Sequence, residues 1–520
     1  MNKDKKYSKD KEIKKWNIYM TLFMILFAVG VLFFVIIDNK LYLCGNINDE
    51  LLYELNADGN SYSVTLPDSM RLNVQIFKAN VNIPGEYNGK PVTSIARYAF
   101  RGCDRLMSIT IPDSVTYIEE GAFSGCSGLT GITIPDGVRS IGYAAFYGCS
   151  GLTSVIIGNS VTEIGGWSTF YGCRKLVEVI DNSNLDIKKR SEENGYIGYY
   201  ALNVKKGETT DIVRKNDYLF YTYKGANYLL GYVGNSTKLI LPNDYNGQSY
   251  NIYKTAFFKT RNKLTSVAIP DSVTGIGGSA FEECDGLTSI TIPASVTEIS
   301  WLAFKGCSNL KNINIPDSVK SIGSSAFSGC SGLTSITLPD SVTSIEHEVF
   351  SDCSGLTSIT LPDSIKSIGY AAFSGCSGLM SITIPDSVTS IERSVFSYCS
   401  GLTSIKIPDS VTSIGWHAFY SCSGLTSIII PDSVTCIEEG AFSNCSGLTS
   451  VIIGKNVSKI CGWVFSGCSS LKIVEFKDAA TWYKTSSFDD MINKNNGELV
   501  DVSDSANNAS IINDYYWYKL

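Results

Sequence analysis

The sequence predicts a repeat solenoid built from 23-residue coils, each contributing one short parallel β-strand, in two arrays separated by a β-rich island. Two observations lead to this reading. Thirteen of the 16 cysteines fall on a register, at positions 103, 126, 149 and 173 and then every 23 residues from 284 to 468, with a single step of 24. Around each cysteine the same unit recurs, approximately C-S-G-L-T-S-I-T-I-P-D-S-V-T-S-I-G-x-x-A-F-S-G. The one long step has a visible cause: the segment Ile164 to Phe170 carries one more residue than Ile141 to Phe146.

Each slot of the unit has a physical role. In Leu333-Thr334-Ser335-Ile336-Thr337-Leu338 the spacing of apolar residues reads as a short strand with Leu333, Ile336 and Leu338 inward and the Thr and Ser outward. Pro339-Asp340 turns the chain, Val342 and Ile345 supply a second inward pair, and Val349-Phe350 closes the coil; most other units use Ala-Phe there. One such coil cannot bury its apolar edge alone, so coils stack at about 4.8 Å.

A period of 23 falls inside the range of about 20–29 residues that marks leucine-rich repeats. Ala326, Phe327, Cys330, Leu333, Ile336, Leu338, Pro339, Val342 and Ile345 carry the pattern A-F-x-x-C-x-x-L-x-x-I-x-I/L-P-x-x-V/L-x-x-I-G. In this the chain resembles the BspA-like, or Treponema-type, leucine-rich repeat family of surface proteins. The resemblance covers roughly residues 83 to 476. It implies a role in cell-surface adhesion or host interaction without naming a ligand.

Outside the repeats the organisation reads as follows. Residues 1–17 form a basic tail, and the run from Ile18 to Ile37 holds 20 residues without a charge, enough to cross about 30 Å of hydrocarbon as a helix. Seven lysines precede it, which places the N-terminus in the cytoplasm and the rest outside. A cleaved signal peptide and a lipid-modified Cys44 are the competing readings; the length of the run argues against the first and the bulky residues before Cys44 against the second. Residues 45–82 read as an N-terminal β cap with a hairpin, 83–176 as the first array, 177–238 as a Tyr-rich β island, 239–476 as the second array and 477–520 as a C-terminal cap or tail. The island is either a spacer or a ligand-binding insertion.

Composition narrows the function. Residues 1–40 hold 8 basic and 4 acidic groups and the remainder 35 and 46, so no basic face is available for a nucleic acid. His347 and His417 are the only histidines and fall in different coils, which speaks against a shared metal or proton. One cysteine per coil does not match paired-ligand metal spacing, and a disulfide between neighbouring coils is not excluded by distance but would distort the stack. Buried free thiols are therefore expected; Cys44, Cys436 and Cys461 stand off the register, the last two in a Ser and a Gly slot. No cofactor is expected.

Variation concentrates two residues after the inward Ile, where the coils carry Tyr143, Trp301, His347, Tyr370, Arg393 and Trp416, with His417 alongside. Trp, Tyr and Arg on a polar surface are the composition of binding hot spots, although such rings can also simply cover the rim of neighbouring coils. The expected function is a membrane-anchored, adhesin-like extracellular protein that binds a protein or glycan without catalysis. The alternatives are a passive envelope spacer and an enzyme whose activity would reside in the island or tail.

Overall fold

A computed structural model of the chain describes residues 33–37, 40–44, 51–67, 80–258, 264–478, 481–494, 496–512 and 515–519. The chain divides into two compact units, Met1–Thr210 and Asp211–Leu520. In both, coils of about 23 residues stack through parallel strands with little helix.

The coil around Ile336 shows why the sequence folds this way. The strand Ser335–Thr337 is exposed, buried, exposed, as its alternation requires, and pairs in parallel register with Ser358–Thr360 of the next coil. Pro339 then accepts a turn hydrogen bond from the Val342 N–H. The second inward pair also forms a strand, Ser344–Ile345, which pairs with Ser367–Ile368. The sequence suggested one strand per coil; the second is only two residues long and carries too little alternation to be read. A third ladder links the turns: the N–H groups of Glu348, Phe350 and Asp352 donate to the carbonyls of Tyr370, Ala372 and Ser374 at 2.9, 2.8 and 2.6 Å. The backbone of this coil is thereby paired with the next coil on three sides, which satisfies polar groups that the narrow core would otherwise orphan.

Inside, the closing phenylalanines form continuous stacks. From Phe257 to Phe465 successive ring centroids lie 5.0–5.8 Å apart and nearly parallel. Phe100, Phe123, Phe146 and Phe170 repeat the arrangement in the first unit. The register cysteines are free and buried. Most donate their S–H to the phenylalanine carbonyl of the preceding coil, as Cys353 does to Phe327 and Cys376 to Phe350, both at 3.1 Å. Burial pushes the Cys353 and Cys399 thiols up to about 12, so they act as neutral packing groups.

The ends of the stacks are closed by non-repetitive strands. Leu52–Leu55 and Tyr62–Thr65 form an antiparallel hairpin, and the second of these pairs with Lys90–Ile95. Asn88-Gly89 and Asn246-Gly247 both take left-handed conformations in tight turns at the openings of the two arrays. The segment 177–238 is divided between the units. Asn203–Lys205 continues the first unit's sheet beside Glu178–Asp181, whereas the hairpin Tyr218–Tyr223 with Ala226–Tyr232 caps the second by pairing with Tyr250–Ile252. At the C-terminus Tyr516–Lys519 runs antiparallel to Lys459–Ile460, burying Trp517 beside Trp482.

Most of the run expected to span the membrane, residues 18–32, lies outside the described residues, as does Thr260, which holds the place of the first cysteine of the second array. The end of that run, Phe33–Ile37, is a strand antiparallel to Lys40–Cys44. Among the described residues no helix is long and apolar enough to cross a membrane.

The turn slot just before the register cysteine is left-handed in coil after coil. Glycine fills it at positions 306, 329, 375 and 467, but Ser421 holds it with φ 58°. A Cβ there costs about 1–2 kcal/mol, partly offset by the entropy a glycine loses on folding. Ser421→Gly should therefore stabilise the second unit by roughly 0.5–1 kcal/mol in urea titrations. A loss of stability would contradict this account of the turn.

Candidate binding edge

The edge between the second strand and the closing phenylalanine is where side chains differ from coil to coil, because the residue two after the inward Ile points out of the stack. In four successive coils this slot holds His347, Tyr370, Arg393 and Trp416, and coil stacking places them in one row. The Arg393 guanidinium lies over both flanking rings, 4.4 Å from the Trp416 centroid and 5.6 Å from that of Tyr370. The Tyr370 backbone N–H donates to His347 Nδ1 at 3.0 Å, which fixes that nitrogen as an acceptor. The His347 ring meets Tyr370 edge-on at 6.3 Å.

His417 takes the next position and is left-handed, with φ 53°. Its ring packs against Trp416 and Tyr420 at 5.2 and 5.0 Å and covers Gly440, where any Cβ would collide with it. Burial is the main cause that holds the His417 imidazole below its usual pKa; Glu439 opposes the shift and Arg393 adds to it. A neutral ring is the form that suits this packed position.

The row remains open to solvent. Tyr370 is 38% and Trp416 40% exposed, and Arg393 is exposed with no ion pair among the described residues. Its guanidinium is thus held by its face while its N–H edges point free. Trp301 occupies the same slot two coils earlier, with Ser324 between, and its ring lies on Gly278, where a Cβ would come within 2.6 Å. Tyr143 belongs to the first unit, where the same slot holds the ion pair Arg97 to Glu120 at 2.8 Å. The Tyr98 hydroxyl, and after it Arg97, hold the Glu120 carboxyl below the usual range. The structure therefore assembles His347, Tyr370, Arg393, Trp416 and His417, and leaves Trp301 outside this row of the second unit, while Tyr143 belongs to the first unit.

Two features escaped the sequence. Tyr147 and Tyr171 stack at 5.9 Å on the turn side of the first unit, and Tyr196, Tyr199 and Tyr200 continue the contacts, a second row of rings that the recurrence of Tyr147 and Tyr171 at one slot of the unit, two residues before the register cysteine, could have signalled. The outward threonines of the strand face are also less available than their exposure suggests. Thr357 Oγ1 donates to the Thr334 carbonyl at 3.1 Å and Thr449 Oγ1 to the Thr426 carbonyl at 2.9 Å, so the hydroxyls tie coil to coil. No group of three or more potential metal-ligating side chains exists among the described residues.

Comparison with known proteins agrees with this architecture. The family model described as BspA type Leucine rich repeat region (6 copies) matches residues 76–198, 250–380 and 368–495. No curated protein matches the chain. Among solved structures, a leucine-rich repeat protein from Bacteroides ovatus ATCC 8483 is 28% identical, over 82% of this chain and 93% of that one, with a TM-score of 0.44. A leucine rich cell surface protein from Faecalibacterium prausnitzii A2-165 is 22% identical over 82% and 93%, with a TM-score of 0.34. The pneumococcal vaccine antigen PcpA is 17% identical over 70% and 91%, with a TM-score of 0.27. With the family model spanning well over half of the sequence, the chain belongs to the BspA-type leucine-rich repeat family.

Proposed function

We propose that this protein is a non-catalytic binding protein displayed outside the cell, which holds an extended protein or glycan along the edge of its second array. The observation that carries the reading is the row formed by His347, Tyr370, Arg393 and Trp416. Arg393 is held between two rings with its hydrogen-bonding edges free, a preorganised fork for a carboxylate or sulfate, and the rings offer flat apolar surface on either side. Preorganisation lowers the ordering cost that an exposed arginine would otherwise impose on binding. Stacking also supports valency, since a repetitive ligand can touch several coils at once. The test is capture: the purified protein, immobilised and exposed to host-surface and cell-wall extracts, should retain a component that the Arg393→Ala, Trp416→Ala double variant does not. Retention of nothing would favour the passive spacer.

The display itself rests on the uncharged run from Ile18 to Ile37 and the lysines before it. An isolated two-stranded pair such as Phe33–Ile37 with Lys40–Cys44 is marginal in water, and within a bilayer Phe33–Ile37 would satisfy its backbone as the end of the helix that begins at Ile18. Protease added to intact cells should remove an epitope at the C-terminus and spare one placed before Lys3. Recovery of a soluble chain starting near Leu41 would replace the anchor with cleavage.

A further inference from the structure

Two cysteines stand off the register, and the structure brings them together. Cys436 opens the strand Cys436–Ile437, which pairs with Lys459–Ile460, so that Cys436 lies beside Lys459 and Cys461 follows directly after the paired residues. The Cys461 N–H donates to the Ile437 carbonyl at 2.9 Å. Each side chain is steered toward the same point. Cys436 occupies a Ser slot in which Ser344 and Ser390 lean onto the glutamate two residues on, at 2.8 and 2.7 Å, and its own Sγ leans toward Glu438 at 3.8 Å. Cys461 occupies a Gly slot in which an added Cβ aims back at the preceding coil, as Gly369 aims at Glu346 and Gly415 at Glu392. At position 461 the preceding coil presents Glu438, and Cys436 packs against the cluster that Cys461 forms with Met491 and Tyr518.

Their surroundings differ from those of the register cysteines. Those are sealed in the core, whereas Cys436 is only partly buried. Cys461 is covered by Met491 and Tyr518 of the C-terminal cap, with Tyr516 and Tyr483 alongside. The contact with Cys461 is the main cause that lowers the Cys436 thiol below its usual pKa, and the same contact raises Cys461. An accessible sulfur beside a shielded one is the arrangement of an attacking and a resolving thiol.

We propose that Cys436 and Cys461 are an oxidisable dithiol whose disulfide staples the last two coils beneath the C-terminal cap. The oxidant is a small-molecule disulfide such as oxidised glutathione. The Cys436 thiolate attacks one sulfur, forming a mixed disulfide and releasing one glutathione thiolate. Cys461 then loses its proton to solvent and its sulfur attacks that of Cys436. The Cys436–Cys461 bond forms as the second glutathione thiolate leaves, so two electrons pass from the protein to the oxidant. The register thiols do not compete, because the small molecule cannot reach them.

The test uses the full chain, folded, with oxidised glutathione, followed by acid quenching and peptide mapping. The count of free thiols should fall by two from 16, with a cross-link joining the tryptic peptides Ile407–Lys455 and Ile460–Lys472. Because those peptides also carry register cysteines, the variants decide: Cys436→Ser should lose the reaction, and Cys461→Ser should stop at one stable glutathione adduct on Cys436. Reductant should restore all thiols. A wild-type chain that stops at the adduct, bridges Cys436 to Cys44, or forms the cross-link in both variants would overturn the proposal.

Discussion

Ile336→Asp is expected to unfold several coils of the second unit, while Thr337→Asp, one residue on, leaves it folded. Ile336 is 4% exposed at the centre of its strand and stacks on Ile359 in parallel register. A carboxylate at that point has no partner and no water, and its burial costs several kcal/mol, about the whole margin of an ordinary domain. In a stack each coil is stabilised by its neighbours, so loss of one interface removes support on both sides. Thr337 points outward, and an aspartate there changes a solvated position. Thermal melts of the two variants check the assignment. Equal losses would mean that the inward and outward faces are misassigned.

Trp416→Ala and Tyr370→Ala are each expected to weaken the captured ligand by about thirtyfold or more, the loss of about 2 kcal/mol typical of a hot spot. Each removes a ring that the ligand would meet and also frees one face of Arg393, which forfeits the preorganisation of its guanidinium. Neither ring is part of the buried core, so the melting temperature should hardly move. Replacing Thr334, Thr357 and Thr403 should cost less, under about 1 kcal/mol each. The Thr357 and Thr403 hydroxyls are already engaged with carbonyls of the preceding coil at 3.1 and 3.4 Å. Affinities from titration calorimetry separate the cases, and a large loss confined to the threonine variants would move the site to the strand face.

Much of the fold was legible because a repeat prints its core many times. Recurrence of Phe327 and Cys330 at a fixed spacing marks inward slots more firmly than any single hydrophobic pattern could, and both are fully buried. Legibility failed where structure depends on contacts between coils. The bond from Cys353 to the Phe327 carbonyl spans 26 residues and exists only once the stack has formed. The left-handed turn before the closing phenylalanine accepts Glu348 and His417 alike, since their N–H groups are held by the next coil, and Trp463 takes the same conformation, so residue type does not reveal it. The division of the island at Thr210 was hidden for the same reason: Asn203–Lys205 joins the first unit by backbone pairing, although its side chains no longer follow the repeat. At the candidate edge, the common slot of His347, Tyr370, Arg393 and Trp416 could be read from spacing. The clamping of Arg393 between two rings required the geometry.

The most direct test of the binding edge is amide hydrogen exchange of the full chain with and without the captured component at saturation. The account predicts slowed exchange in the turns around His347, Tyr370, Arg393 and Trp416, with little change in the strands Ser335–Thr337, Ser358–Thr360 and Ser427–Ile429. Protection confined to those strands, with the turns unchanged, would contradict it.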